Sequence, residues 1–211
     1  MPDTSPRLFK LRPLEKKDLE SVTHWFQDLN DLALFDRALR IPPNQMQTEQ
    51  IWEDVISSSR DCDKCWFVIE SGSGDLVGMI GLEAISNINR DAVVPVFVDK
   101  SIRRQGVAVR AVALMLDFAF RQLGLNRITS YYRSDNHSSR DLISRVGCKI
   151  EGTMRQAWFA DGQFHDMVVV GMLQQDWKVR RQVLEQELGP ETVVGFDASG
   201  WSWPPDAGAE T

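Results

Sequence analysis

From Gly106 to Gln122 the chain places charge at only three positions, Arg110, Asp117 and Arg121. A helix with so little polar surface has to be covered on most sides, and a sheet is the element broad enough to cover it. A strand, Ala92–Val98, runs into this helix through the basic turn Asp99-Lys100-Ser101-Ile102-Arg103-Arg104-Gln105. The rest of the chain must therefore supply a sheet and its other covers.

The remaining segments fit that demand. Leu8–Arg12 reads as a strand ended by Pro13, and Glu15–Leu29 as a helix with Leu19, Val22, Phe26 and Leu29 on one face. Asn30–Gln47 reads as irregular, and Thr48–Ser58 as a second helix. Cys65–Glu70 and Leu76–Ile85 form a hairpin about Ser71-Gly72-Ser73-Gly74-Asp75. Arg127–Tyr132 is a strand and Ser138–Arg145 a short helix. Cys148–Phe159 and Phe164–Leu173 pair across Ala160-Asp161-Gly162-Gln163. Asp176–Leu188 is a helix stopped by Gly189-Pro190. This order predicts an α/β (α+β mixed) domain over residues 1–188, with helices on a mixed six- to seven-stranded sheet. Residues 189–211 form a tail containing Trp201 and Trp203. Two tryptophans in a tail call for cover, either by its own domain or by a partner subunit.

Composition narrows the class of function. Hydrophobic residues make up 43% of the chain and charged residues 26%, as in an ordinary globular protein. No apolar run is long enough for a membrane span. The first residues lack the apolar core of a secretory signal, so a cytoplasmic protein without membrane partners is expected. With 24 basic and 30 acidic residues the net charge is −6, unsuited to generic nucleic-acid binding and attractive to amines. The three cysteines, Cys62, Cys65 and Cys148, and the three histidines, His24, His137 and His165, show no metal-ligand spacing, so no metal is expected. Nor does Cys62-Asp63-Lys64-Cys65 open a helix, as a redox pair would.

The segment Val93–Ala108 carries the chemistry. Gly106 and Ala108 are small, so backbone can approach a ligand closely. The N–H groups at the helix start, its dipole and the charges of Arg103 and Arg104 suit a phosphate. Neither Gly-x-x-x-x-Gly-Lys-Ser/Thr nor Gly-x-Gly-x-x-Gly is present, so nucleotide loops of those kinds are excluded. Arg103-x-x-Gly106-x-Ala108 resembles the Arg/Gln-x-x-Gly-x-Gly/Ala motif of the GNAT N-acetyltransferases. Asn136-His137-Ser138-Ser139…Gly147-Cys148…Glu151-Gly152 resembles a block of the ribosomal-protein-alanine and spermidine N-acetyltransferase subgroup. Met154-Arg155 and Asp161-Gly162…Asp166 continue that likeness, which covers the chain to about Trp177.

The resemblance implies a GNAT fold with splayed central strands and acetyl transfer from acetyl-CoA to a primary amine by direct attack. It assigns cosubstrate binding to Val96, Phe97, Val98, Arg103, Arg104, Gln105, Gly106, Val107, Ala108 and Asn136. A backbone N–H at Val96 or Phe97 would polarise the thioester carbonyl. Pro95, lacking an N–H, interrupts that strand. Ser139, with Asn136, is the candidate partner of the leaving sulfur. Trp25, Phe26, Phe35, Tyr132 and Asp166 are candidates for holding the acceptor, although core packing is the ordinary fate of such aromatics. Asp28, Asp31 and Asp36 could attract a cation or simply form a solvated face. Of Tyr131 and Tyr132, one is expected to face away from the cleft.

The chain departs from its relatives at the acid and base. Ile143 stands where spermidine acetyltransferases carry a tyrosine acid, and Trp158 where the ribosomal-protein enzymes carry a glutamate base. Glu83, inside an apolar strand, is the candidate base, and strand alternation equally allows it to face outward. Asp166 and His165 are second choices, and a water chain is a further alternative. Small amines such as polyamines or amino sugars are favoured over a protein N-terminus. A non-catalytic acyl-CoA-binding module and a different acyl donor are the competing readings. Members of the subgroup often form dimers, with the tail and last helix as the contacts to expect here.

Overall fold

The computed structural model describes residues 5–39, 41–57, 63–197 and 200–205. The strands are β1 (Arg7–Pro13), β2 (Cys65–Ser71), β3 (Leu76–Ser86), β4 (Asp91–Val93), β5 (Val96–Val98), β6 (Arg127–Arg133), β7 (Lys149–Ala160), β8 (Gln163–Leu173), β9 (Thr192–Phe196) and β10 (Ser202–Trp203). The helices are α1 (Leu19–Trp25), α2 (Leu29–Phe35), α3 (Gln45–Ser57), α4 (Val107–Asp117), α5 (His137–Val146) and α6 (Gln174–Glu187). Among the described residues the ten strands join in one sheet, in the order β10-β9-β1-β2-β3-β4-β6-β8-β7, with β5 also on β3. The expected six or seven strands are all there. The count rises because the Ala92–Val98 strand is cut in two and the tail adds β9 and β10.

Alternating side chains divide the core between the two faces of the sheet. Leu11, Ile69, Ile80 and Leu82 pack against α4, which is buried from Val109 to Asp117. Trp66, Val68, Met79 and Phe97 pack against α1, α2 and α3. The nearly uncharged helix thus obtains the cover its sequence demands. It gives way at Phe118 to a wider π-helical turn reaching Gln122.

Local chemistry explains where element boundaries differ from expectation. The helix expected from Glu15 to Leu29 stops at Trp25, because the Asp28 side chain accepts the N–H groups of Asn30 and Asp31 and starts α2. Part of the supposedly irregular Asn30–Gln47 stretch is therefore helical. Asn44 and Gln47 exchange side-chain bonds with each other's N–H at 3.0 Å, a capping box that starts α3 at Gln45 rather than Thr48.

The tail folds over its own domain. β9 runs parallel to β1, with Arg7 opposite Thr192, and β10 turns back on β9. Trp203 is fully buried beside Trp177, their rings 5.6 Å apart, and Arg121 stacks on Trp201 at 4.9 Å. One buried carboxylate holds this corner. Asp117 accepts bonds from the indole N–H of Trp177 at 2.9 Å and of Trp203 at 3.3 Å, and pairs with Arg181 at 3.0 Å. It joins the end of α4 to α6 and the tail. Replacing Asp117 with Ala would strand two buried indole donors and Arg181, so urea denaturation is expected to show a loss of roughly 3 kcal/mol.

Candidate active site

The central strand changes partners at Pro95. Ahead of it, β4 pairs with β3 on one side and, in parallel, with β6 on the other. Beyond it, β5 pairs, among the described strands, with β3 alone. Val94 still reaches β6, donating to Thr129 at 3.1 Å and accepting from the Ser130 hydroxyl at 3.3 Å. Pro95 accepts from Gly81 and Asp99 donates to Val77, so odd-numbered residues bond to β3. By the two-residue period, the N–H groups of Val96 and Val98 point the other way, into the gap between β5 and β6. Phe97 directs its backbone toward β3. Its ring joins the aromatic cluster of Trp25, Phe26 and Phe35.

A cleft of about 260 Å³ opens at this gap. Phe35, Trp52, Trp66, Tyr131, Val93–Val96, Ser139, Leu142 and Ile143 are among the residues that line it. Tyr131 and Tyr132 both line it, against the expectation that one would face away. The cleft passes through the split in the sheet, so both faces of β6 border it. Tyr131 keeps 41% of its surface exposed, whereas Tyr132 packs on Ile143 and Val170.

Glu83 lies in this cleft rather than facing outward. The β3–β4 register shifts just after it, and Ala84 takes a positive φ of 50°. Such a bulge re-aims the neighbouring side chain. Trp66 lies across Gly81, where a Cβ would collide with the indole, and its Nε1 donates to Glu83 at 3.2 Å. Burial pushes the Glu83 carboxyl above its ordinary value, against the Trp66 hydrogen bond and Lys64. Tyr131 is pushed up as well, chiefly by burial and then by the Glu83 charge.

At the other end, the turn before α4 has the form expected of an anion cradle. Arg104 and Gly106 take positive φ values of 63° and 77°. Gly106 is the N-cap of α4, and no side chain caps the helix. The N–H groups of Val107, Ala108 and Val109 therefore lack helical acceptors and point out of the helix start. Of the two arginines, Arg104 is exposed and pairs with no carboxylate among the described residues, whereas Arg103 braces the turn. Arg103 donates to Val98 O at 2.8 Å and pairs with the buried Asp31 at 3.0 Å. Asp31 and Asp28 also hold Lys100, so these aspartates serve the turn rather than an incoming cation.

The other sequence candidates divide as follows. Ser139 lines the cleft. Asn136 caps α5, its side chain accepting the Ser139 N–H at 3.1 Å, and does not border the cleft. Of the three aromatics near the first helix only Phe35 reaches the cleft. Trp25 and Phe26 are buried in the core, and Trp25 borders instead a separate open groove of about 1110 Å³ between α1 and the β2–β3 turn. That groove contains neither Glu83 nor Ser139. Asp166 accepts the N–H of Gln156, a positive-φ residue in the irregular part of β7, and is absent from the cleft wall. Trp158 is fully buried and donates to Ala33 O at 3.0 Å. His24 and His137 are exposed, and His165 lies 3.5 Å from Asp135.

Trp52, Trp66, Lys64 and Arg37 border the cleft without having been singled out from sequence. The signal present for Trp66 was Gly81, two positions before Glu83 on the strand that pairs with it. Cys62 lies outside the described residues, and among those described no group of three His, Cys, Asp or Glu side chains could hold a metal. Burial pushes the Cys148 thiol up to about 12. No described helix is long and apolar enough to cross a membrane.

Comparison with known proteins agrees with this geometry. The chain is 31% identical to a putative ribosomal N-acetyltransferase, YdaF, of Bacillus subtilis over 80% of its length and 92% of that protein. It is 24% identical to the spermidine N(1)-acetyltransferase of Escherichia coli, covering 85% of this chain and 93% of the relative. The fold superposes with a TM-score of 0.73 on the spermidine N-acetyltransferase from Vibrio cholerae in complex with CoA and spermine. That match is 23% identical and covers 81% of this chain and 98% of the other. Residues 9–149 match the acetyltransferase (GNAT) domain. A strand split at Pro95, a glycine-capped α4 and this match together make the chain a member of the GNAT family, an acetyl-CoA-dependent N-acetyltransferase.

Proposed function

We propose that the chain acetylates a small primary amine by direct attack within a ternary complex, with Glu83 as the base. The observation that carries this reading is a half-buried carboxylate on the wall of a small aromatic cleft at the strand gap. About 260 Å³ lies just below the range usual for small-molecule sites, which favours a compact acceptor over an extended peptide. Asp36 and Glu83 are matched along the cleft by Arg37 and Lys64. This balance suits an amine with an apolar or zwitterionic body better than a long polycation.

Acetyl-CoA supplies the acetyl group as a thioester. The Val96 N–H is aimed to donate to the carbonyl oxygen as negative charge gathers there. Glu83 takes the proton that the bound ammonium must lose before its nitrogen can attack, directly or through one water. The Ser139 hydroxyl, which also lines the cleft, is the candidate donor to the departing sulfur. Ile143 beside it has no proton to give. The turn at Arg104–Ala108 holds the diphosphate.

The first test is mass-spectrometric detection of CoA release with pooled polyamines, amino sugars, amino acids and N-terminal peptides. Turnover confined to the peptide pool would replace the small amine with a protein N-terminus. Acetyl-CoA binding without turnover on any pool would favour a non-catalytic binding module. With an acceptor found, Glu83→Gln is expected to lower kcat at least 100-fold. A carboxyl whose value is raised on folding destabilises the fold once ionised, so stability falls as pH climbs through the raised value. The same Gln variant should therefore melt no lower than the parent at neutral pH. Trp66→Phe removes the bond that opposes burial. It is expected to move the acid limb of the pH–rate profile to higher pH, which a kcat/KM profile would read.

A further inference from the structure

The anion-binding turn is held from behind by residues far away in sequence. Thr192, fully buried at the start of β9, donates its hydroxyl to Gln105 O at 3.2 Å. Arg110, also buried, donates to Gly106 O at 3.2 Å and to Gly189 O. Arg7, opposite Thr192 in the β1–β9 ladder, donates to the Gln105 side chain at 2.7 Å. A Cβ at Gly106 would collide with the Arg110 guanidinium, so the turn is moulded onto that side chain. All of Gly189–Thr192 lies beyond residues 9–149, the part that matches the family.

Peptide geometry gives these bonds a consequence. In a trans peptide the C=O of one residue and the N–H of the next point in opposite directions. Holding the Gln105 carbonyl inward therefore turns the Gly106 N–H outward. Holding the Gly106 carbonyl does the same for Val107. We infer that the segment Gly189–Thr192, through Thr192 and Arg110, positions the turn that receives the diphosphate of acetyl-CoA. The far end of the chain then belongs to the cosubstrate site while touching no ligand. Thr192 and Arg110 are positioning residues, and the inference rests on reading this turn as the diphosphate site.

The test is calorimetric binding of CoA and of pantetheine, which lacks the diphosphate, to the full chain. Thr192→Val keeps the shape and removes the donor, while Thr192→Ser keeps the donor. Loss of one such bond is expected to weaken CoA about fivefold in the Val variant. The Ser variant should bind CoA as the parent does, and pantetheine should bind all three alike. Parent-like CoA affinity in Thr192→Val would overturn the inference. So would an equal loss of CoA and pantetheine accompanied by a lower melting temperature, which marks general loosening. Should the Val variant fail to fold, Thr192→Ala removes the same donor with a smaller side chain. It is expected to weaken CoA about fivefold with pantetheine unaffected, and parent-like CoA affinity there would overturn the inference. A parent chain that binds no CoA would remove the diphosphate reading itself, and the inference with it.

Discussion

Pro95 sets the constraint on which the site depends. It can offer no N–H to β3, and the ladder is interrupted between β4 and β5. β4 is held from both sides, whereas β5 keeps one neighbour and leaves its other edge unpaired. An unpaired strand edge presents alternate N–H and C=O groups, which a bound amide or carbonyl can satisfy. The same interruption opens the sheet so that side chains from both faces of β6 border one cleft.

Two opposing effects meet at Glu83. Its surroundings strip water from a carboxylate, which favours the neutral acid, while Trp66 and Lys64 favour the charged form. Burial wins, leaving a stronger proton acceptor than an exposed glutamate. The bulge at Ala84 and the bare surface of Gly81 allow the arrangement, the first by aiming the carboxylate and the second by letting the indole lie flat on β3. Asp117 is buried more deeply and is partnered differently. Two indole donors and Arg181 satisfy its oxygens, so that carboxylate serves to join α4, α6 and the tail.

Much of this was legible in order along the chain. The uncharged α4, the hairpins and the small residues of the turn are local patterns, and local patterns report secondary structure and close backbone approach directly. Aromatic side chains were less legible. Trp25, Phe26 and Phe35 look alike in sequence, yet only Phe35 reaches the cleft, because α1 ends at Trp25 and α2 starts from Asp28. Two aspartates that suggested attraction for a cation, Asp28 and Asp31, hold Lys100 and Arg103 of the turn, some seventy residues on. Such pairings depend on three-dimensional neighbours, for which one-dimensional spacing has no counterpart.

Sequence by itself determined the mixed α/β class, the turn before α4, Pro95 and the side chains without an acid or base group at Ile143 and Trp158. Each is a property of residue type at one position or of a short-range period. Tertiary structure alone decided that Glu83 faces inward, that Asp166 answers to Gln156, and that Trp203 lies beneath the α4–α6 corner. It also brought Thr192 to the back of the turn before α4. Side-chain direction past a bulge and contact across the sheet are set by packing of distant segments, and hydrogen-bond satisfaction then selects which polar groups remain free for chemistry.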